Sequence, residues 1–332
     1  MSAGETTGPA HARPALEAVG LSKQFGAVRA VSELSFTVPT GSITGFVGPH
    51  GSGKTTTLRM LLGLITPTTG SAVVTGLPFA ALAQPARTVG VVLDSLGVHP
   101  NRTALGHLLV YAAAVGVPDD RAPQVLGMVG LEQVGRQRAG TFSLGMRQRL
   151  ALATAMLGNP QILVLDEPAN GLGPEGIAWL RDFLRAFARS GRTVLVSSHL
   201  LREVEQTVDR LVIVDRGSLV FEGGIDDLRR SHTGRVLVAS SDAARLALAL
   251  GAEGITDAQV LPDGRLAVGG TLEAEVAEIA GAAGVRIFGS VTEHVDLEQV
   301  FASMTSGQYA AQHYGPPAPQ LQHATDPYGG PR

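Results

Sequence analysis

From Leu16 to about Gly224, short apolar and β-branched runs alternate with stretches whose apolar residues recur at helical spacing. The strand candidates are ITGFV (Ile43–Val47), VGVVL (Val89–Leu93), ILVLD (Ile162–Asp166), TVLVS (Thr193–Ser197) and RLVIVD (Arg210–Asp215). Their alternation with helices predicts an α/β domain over about 15–230 with a largely parallel sheet. Between Ser95 and Asn159 no strand pattern is convincing. There LGHLLVYAAAV and MRQRLALATAML carry helical periodicity, which predicts a helical subdomain of about 95–159 inserted into the core. After Gly224 the runs RVLVAS, RLAVGG and VRIFGS alternate with Ala/Glu-rich helical stretches, so 231–305 reads as a small C-terminal α+β domain. Residues 1–14, rich in Gly, Pro, Ala and Thr, read as a flexible leader, and 306–332 as a disordered tail without periodicity.

Composition narrows the class. A chain of 332 residues with 44% hydrophobic and 17% charged positions can bury a proper core. No apolar run reaches the roughly 18 residues a bilayer demands. The N-terminus lacks the basic-then-apolar order of a secretory signal, so the expected place is the cytoplasm. The absence of cysteine excludes disulfides and thiolate metal sites and fits a reducing compartment. A net charge of −3 without a basic block argues against a nucleic-acid partner. Lysine occurs only at Lys23 and Lys54.

Lys54 lies in the most informative segment. Gly48-Pro49-His50-Gly51-Ser52-Gly53-Lys54-Thr55 matches the phosphate-loop pattern G-x-x-x-x-G-K-[ST], directly after ITGFV and opening a helix that continues with Thr56. Glycines let backbone N–H groups curl around phosphate oxygens, and the helix N-terminus adds a favourable dipole. Lys54 can then reach the β- and γ-phosphates, and the Thr55 hydroxyl can ligate Mg²⁺. Downstream, Ile162–Leu165 ends in Asp166 and Glu167. An aspartate at such a strand end suits Mg²⁺, and the adjacent glutamate can polarise water as a general base. Either acid alone would be commonplace; paired with the loop they form a nucleotide site.

Phe142-Ser143-Leu144-Gly145-Met146-Arg147-Gln148-Arg149-Leu150 lies just before the acidic strand. Ser143 suits an N-cap, and Gly145 permits close backbone approach to an anion. This segment resembles the signature of ABC ATPases, usually LSGGQ followed by a basic helix. The resemblance covers about Leu16 to Gly224 and implies a P-loop NTPase fold, ATP and Mg²⁺ as ligands, and ATP hydrolysis. It implies that Phe25 stacks on adenine and that His199, in VSSHL, senses the γ-phosphate. Ser143, Leu144, Gly145 and Met146 would touch the ATP of an opposing subunit, and Asn170-Gly171-Leu172 would begin a loop at that interface. The implied partners are an integral membrane subunit and a second ATPase, a copy or a relative, on the inner face of the membrane.

Four positions, in three places, depart from the family. Asp94 stands where a glutamine is usual, and as a carboxylate it can still ligate Mg²⁺ while making the site more negative. Leu144 and Met146 replace the signature's Gly and Gln, and Gly173 replaces an interface aspartate. None touches Lys54, Thr55, Asp166, Glu167 or His199, so an active, slow ATPase is expected. HVDLEQVFASMT (294–305) resembles the closing segment of ATP-binding subunits of drug, bacteriocin and antibiotic exporters. A soluble ABC ATPase and a nucleotide-binding regulator with little hydrolysis are the alternatives.

Overall fold

The computed structural model describes residues 13–93, 97–231, 235–292 and 297–305; Asp94, the leader to residue 12, residues 294–296 of the closing segment and the tail from 306 lie outside them. Along the chain run β1 (Leu16–Phe25), β2 (Val28–Val38), β3 (Ile43–Val47), α1 (Lys54–Leu61), β4 (Thr69–Val74), α2 (Pro85–Thr88) and β5 (Val89–Val92). Next come α3 (Ala104–Val115), α4 (Arg121–Met128), α5 (Leu144–Ala155), β6 (Ile162–Leu165), α6 (Pro174–Arg189), β7 (Thr193–Ser198), α7 (Leu201–Val204), β8 (Arg210–Asp215), β9 (Ser218–Gly224) and α8 (Ile225–Ser231). The C-terminal part holds β10 (Val236–Ser240), α9 (Ala243–Ala252), β11 (Ala258–Val260), β12 (Leu266–Val268), α10 (Glu273–Ala282), β13 (Ile287–Thr292) and α11 (Leu297–Met304).

The central sheet has the order β5-β6-β7-β3-β8-β9. All its pairings are parallel except the last, β8 with β9. β3, β6 and β7 are buried at every position, as apolar runs covered on both faces must be. A second, antiparallel sheet, β2-β1-β4, packs Leu21, Leu34 and Phe36 against Phe46 and the α1 residues Leu58 and Leu61. The Phe36 and Phe46 rings stack with centroids 5.2 Å apart. The reading of a largely parallel domain therefore holds for the central sheet and omits this one. β1 pairs with both neighbours through register shifts between Ala18 and Leu21 and between Val19 and Ser22, which break the alternation that would reveal a strand.

On the opposite face, α3, α4 and α5 contribute Leu108, Val125 and Leu150 to a core that includes Leu165 and Val196. A third core, under the sheet β11-β12-β10-β13, joins Val236 and Val238 to Leu246, Leu250 and Val276. Helix α11 does not belong to this third core. Its Leu297, Val300 and Phe301 enter the core of α3, α4 and α5, beside Leu200, Leu201 and Val204.

Candidate active site

The parallel strands end at one edge of the sheet, and their carboxyl ends carry the candidate chemistry, the usual location of ligands in such sheets. After Val47 the backbone passes through buried Gly48 and Pro49 and exposed His50. A Cβ on Gly48 would collide with the Val214 carbonyl oxygen, and one on Gly53 would meet the Ala30 carbonyl oxygen at 2.5 Å. Gly53 also holds φ +96° as the N-cap of α1, a left-handed conformation that favours glycine. Gly51 has φ +78°. The loop's glycines are thus dictated by packing and backbone sign, and they leave the first N–H groups of α1 without helical partners. Ser52 presents a buried hydroxyl with no hydrogen-bond partner among the described residues, and Thr56 sits half-buried in the first turn.

Lys54 is 5% exposed, and its Nζ donates to the carbonyls of Gly48 (2.7 Å) and Pro49 (3.1 Å). The same ammonium stands 3.2 Å from Glu167 Oε1. Glu167 Oε2 in turn lies 2.6 Å from His199 Nδ1. Thr55 Oγ1 donates to Asp166 Oδ2 at 2.7 Å, joining the loop to the acidic strand end. Ser197 organises both acids: its hydroxyl donates to Asp166 Oδ1 (2.6 Å) and accepts from the Glu167 N–H (2.8 Å). Glu167 holds φ +48°, uncommon for a residue with a side chain. The structure brings together Lys54, Thr55, Asp166, Glu167 and His199, and adds His50, whose ring stacks on that of His199 with centroids 4.2 Å apart.

Burial pushes the Glu167 carboxyl up, but the hydrogen bond with His199 and the charge of Lys54 more than reverse this and hold it below its usual value. Burial pushes the Lys54 ammonium down, and the attraction of Glu167 and Asp166 offsets only part of that. Two carboxylates and one ammonium therefore interlock here, so a polyphosphate would enter with a cation of its own.

Two of the assigned groups stand elsewhere. Phe25 is half exposed at the end of β1, with Lys23 Nζ 5.1 Å from its ring centroid, presenting an aromatic face to solvent. Ser143 caps α5 by accepting from the Met146 N–H at 3.2 Å. Ser143, Leu144, Gly145 and Met146 line a cavity of about 510 Å³ between α5 and α6, with Leu172 and Trp179 among its other walls. Leu144 packs against Gly171, where a Cβ would run into its side chain. Ser197 was not singled out by sequence reasoning. Its signal was present in VSSH, because a polar residue at the end of an otherwise apolar buried strand must find a partner.

A family model described as ABC transporter matches residues 31–170. The bacitracin transport ATP-binding protein BcrA of Bacillus licheniformis is 40% identical over 220 residues, covering 65% of this chain and 72% of that protein. The chain belongs to the ABC transporter family. It is an ATP-binding subunit of that family, an ABC ATPase. The Nod factor export ATP-binding protein I of Bradyrhizobium diazoefficiens is 37% identical over 66% of this chain and 74% of its own length. A solved ATP-binding subunit of an ABC transporter superposes with a TM-score of 0.59 at 28% identity, covering 65% of this chain and 92% of that one. Among the described residues no helix is long and apolar enough to cross a membrane.

Proposed function

We propose that this subunit powers export of a small molecule or peptide by closing on ATP against a second ATPase and a separate membrane subunit. The observation that carries this is the convergence of Lys54, Thr55, Asp166, Glu167 and His199 at one edge of the central sheet. In this reading Gly48–Thr55 cradles the phosphates, Lys54 exchanges its carbonyl partners for β- and γ-oxygens, and His199 turns to the γ-phosphate. Glu167, released from Lys54, accepts a hydrogen bond from the attacking water and orients it as general base. Phe25 offers its face to adenine, and Ser143–Met146 of the opposing subunit complete the phosphate site through the amide groups of a capped helix start.

Thr55 and Asp166 present hard oxygen donors side by side, which suits Mg²⁺. When bound, Mg²⁺ neutralises charge on the β- and γ-phosphates. Residues 15–230 would form the ATPase domain, 95–159 its helical subdomain and 231–305 an accessory unit whose last helix returns to the ATPase core. The place of action is the inner face of the membrane, as a peripheral subunit. Export is supported by the relative named for Nod factor export and by the 294–305 resemblance.

Glu167→Gln tests the assignment. The variant should lose turnover by at least about 100-fold, the lower bound for a positioned general base, while retaining ATP on a filter. A steady-state rate near that of the unaltered protein would remove Glu167 from its role.

A further inference from the structure

The phosphate loop carries a histidine at its third position, and the fold places it over the catalytic end of the sheet. His50 is exposed at the loop's tip, while Glu167 and His199 are half-buried beneath it. The ring stacking of His50 on His199 puts two imidazoles beside the Glu167 carboxylate, already 2.6 Å from His199 Nδ1. One ligand atom from each of the three lies within 4.8 Å of the others. We infer that His50, Glu167 and His199 form a binding site for a borderline-soft divalent cation of the Zn²⁺ type in the nucleotide-free protein.

Two imidazoles and one carboxylate are a donor set that Zn²⁺ takes in preference to Mg²⁺, which favours oxygen. Bond lengths of about 2.0–2.2 Å put neighbouring ligand atoms of a tetrahedral ion about 3.3 Å apart. The cluster must therefore tighten by up to roughly 1.5 Å, the difference between that spacing and 4.8 Å. Exposed His50 can supply that by rotating about its side-chain torsions. His199 would bind the ion through Nδ1 as the neutral Nε2–H tautomer, the proton it shares with Glu167 passing to water. Water takes the fourth position. The charges permit it: Asp166 and Glu167 face one ammonium, Lys54, so the pocket without the ion carries an excess carboxylate. Lys54 already has the Gly48 and Pro49 carbonyls and keeps them when Glu167 turns to the ion.

Such an ion would hold Glu167 and cover the mouth of the phosphate loop, so it and nucleotide exclude one another; this consequence, unlike the site itself, rests on the proposed function. The test reads bound metal rather than turnover, so an error about the role of Glu167 leaves it intact. The full chain, free of nucleotide, is titrated with Zn²⁺ in competition with a chromogenic chelator, beside His50→Gln and His199→Gln. Thermal melting of each variant confirms that it is folded. Histidines elsewhere in the chain contribute equally to all three proteins and cancel in the comparison. The expected result is one tight site in the unaltered chain, weakened at least tenfold in each variant. Affinities within twofold of the unaltered chain in both variants overturn the site.

Discussion

At the scale of single residues, the interlock of Lys54, Glu167 and His199 makes stability depend on pH in a definite direction. Glu167 titrates below its ordinary value in the folded chain because His199 and Lys54 outweigh its burial. Above about pH 4.3, the ordinary glutamate value, the carboxylate contributes its full stabilisation. As pH falls from there through the folded value, the unfolded chain takes the proton first, and the contribution is lost. Asp166, bonded to Thr55 and Ser197, is the other acid facing Lys54. The melting temperature of the nucleotide-free chain should therefore fall on acidification below about pH 4.3, and less steeply in Glu167→Gln, which has no proton to gain. Equal slopes in the two proteins would show that the acid sensitivity lies elsewhere. The backbone imposes a second constraint on the same site. Gly48→Ala would drive its methyl group into the Val214 carbonyl oxygen and the Ser52 hydroxyl. A cost of about 1–3 kcal/mol follows from such overpacking, with loss of ATP binding as the loop moves off its geometry. Calorimetry and nucleotide binding on one preparation measure both.

At the scale of elements, what the sequence made legible follows from where each constraint is written. The strand ends and the phosphate loop were readable because their chemistry is contiguous: Gly48 to Thr55 must be adjacent residues to wrap one phosphate, and Asp166-Glu167 must follow a buried strand. The antiparallel sheet β2-β1-β4 was not readable, since its register shifts scramble the period-two pattern. β11 is three residues long and partly or wholly exposed, too little for any periodicity. The segment LEQVF carries a family resemblance in its sequence, yet the destination of its helix depends on distant contacts. It crosses from the four-stranded sheet to the ATPase core, where Phe301 is fully buried and Glu298 accepts from the Arg202 N–H at 3.3 Å. Arg202 lies three residues after His199, so α11 braces the segment that positions the histidine. Phe301→Ala should cost about 3–5 kcal/mol in chemical denaturation, the range for removing a buried aromatic ring. A cost under 1 kcal/mol would mean that α11 is only loosely seated. The histidine pair was illegible for a similar reason: His50 and His199 stand 149 positions apart in the chain and meet only because β3 and β7 are neighbours in the sheet.

At the scale of the whole molecule, the two halves into which the proposed function divides the nucleotide site stand in different places in the chain. Lys54, Asp166 and Glu167 surround the phosphate loop, whereas Ser143–Met146 line the cavity between α5 and α6. One chain holding both halves apart completes neither; two chains related by a two-fold axis complete two sites at once, because each supplies what the other lacks. The proposed closed dimer should then depend on ATP, whose phosphates would bridge the halves. The chain carries its own reporter, since its single tryptophan, Trp179, lies in the wall of the signature cavity with the Arg149 guanidinium 4.3 Å from its ring centroid. In Glu167→Gln, where ATP persists unhydrolysed, Mg²⁺ and ATP should raise the mass seen by light scattering towards that of a dimer and shift Trp179 emission with the same concentration dependence. Ser143→Ala removes the cap of α5, at about 1 kcal/mol of helix stability, and should move both transitions to higher protein concentration together. A dimer that forms equally well without ATP would break the link between nucleotide and closure. An ATP-dependent emission change in a chain that stays monomeric would place the response within one subunit, and the membrane partner would then have to supply the opposing surface.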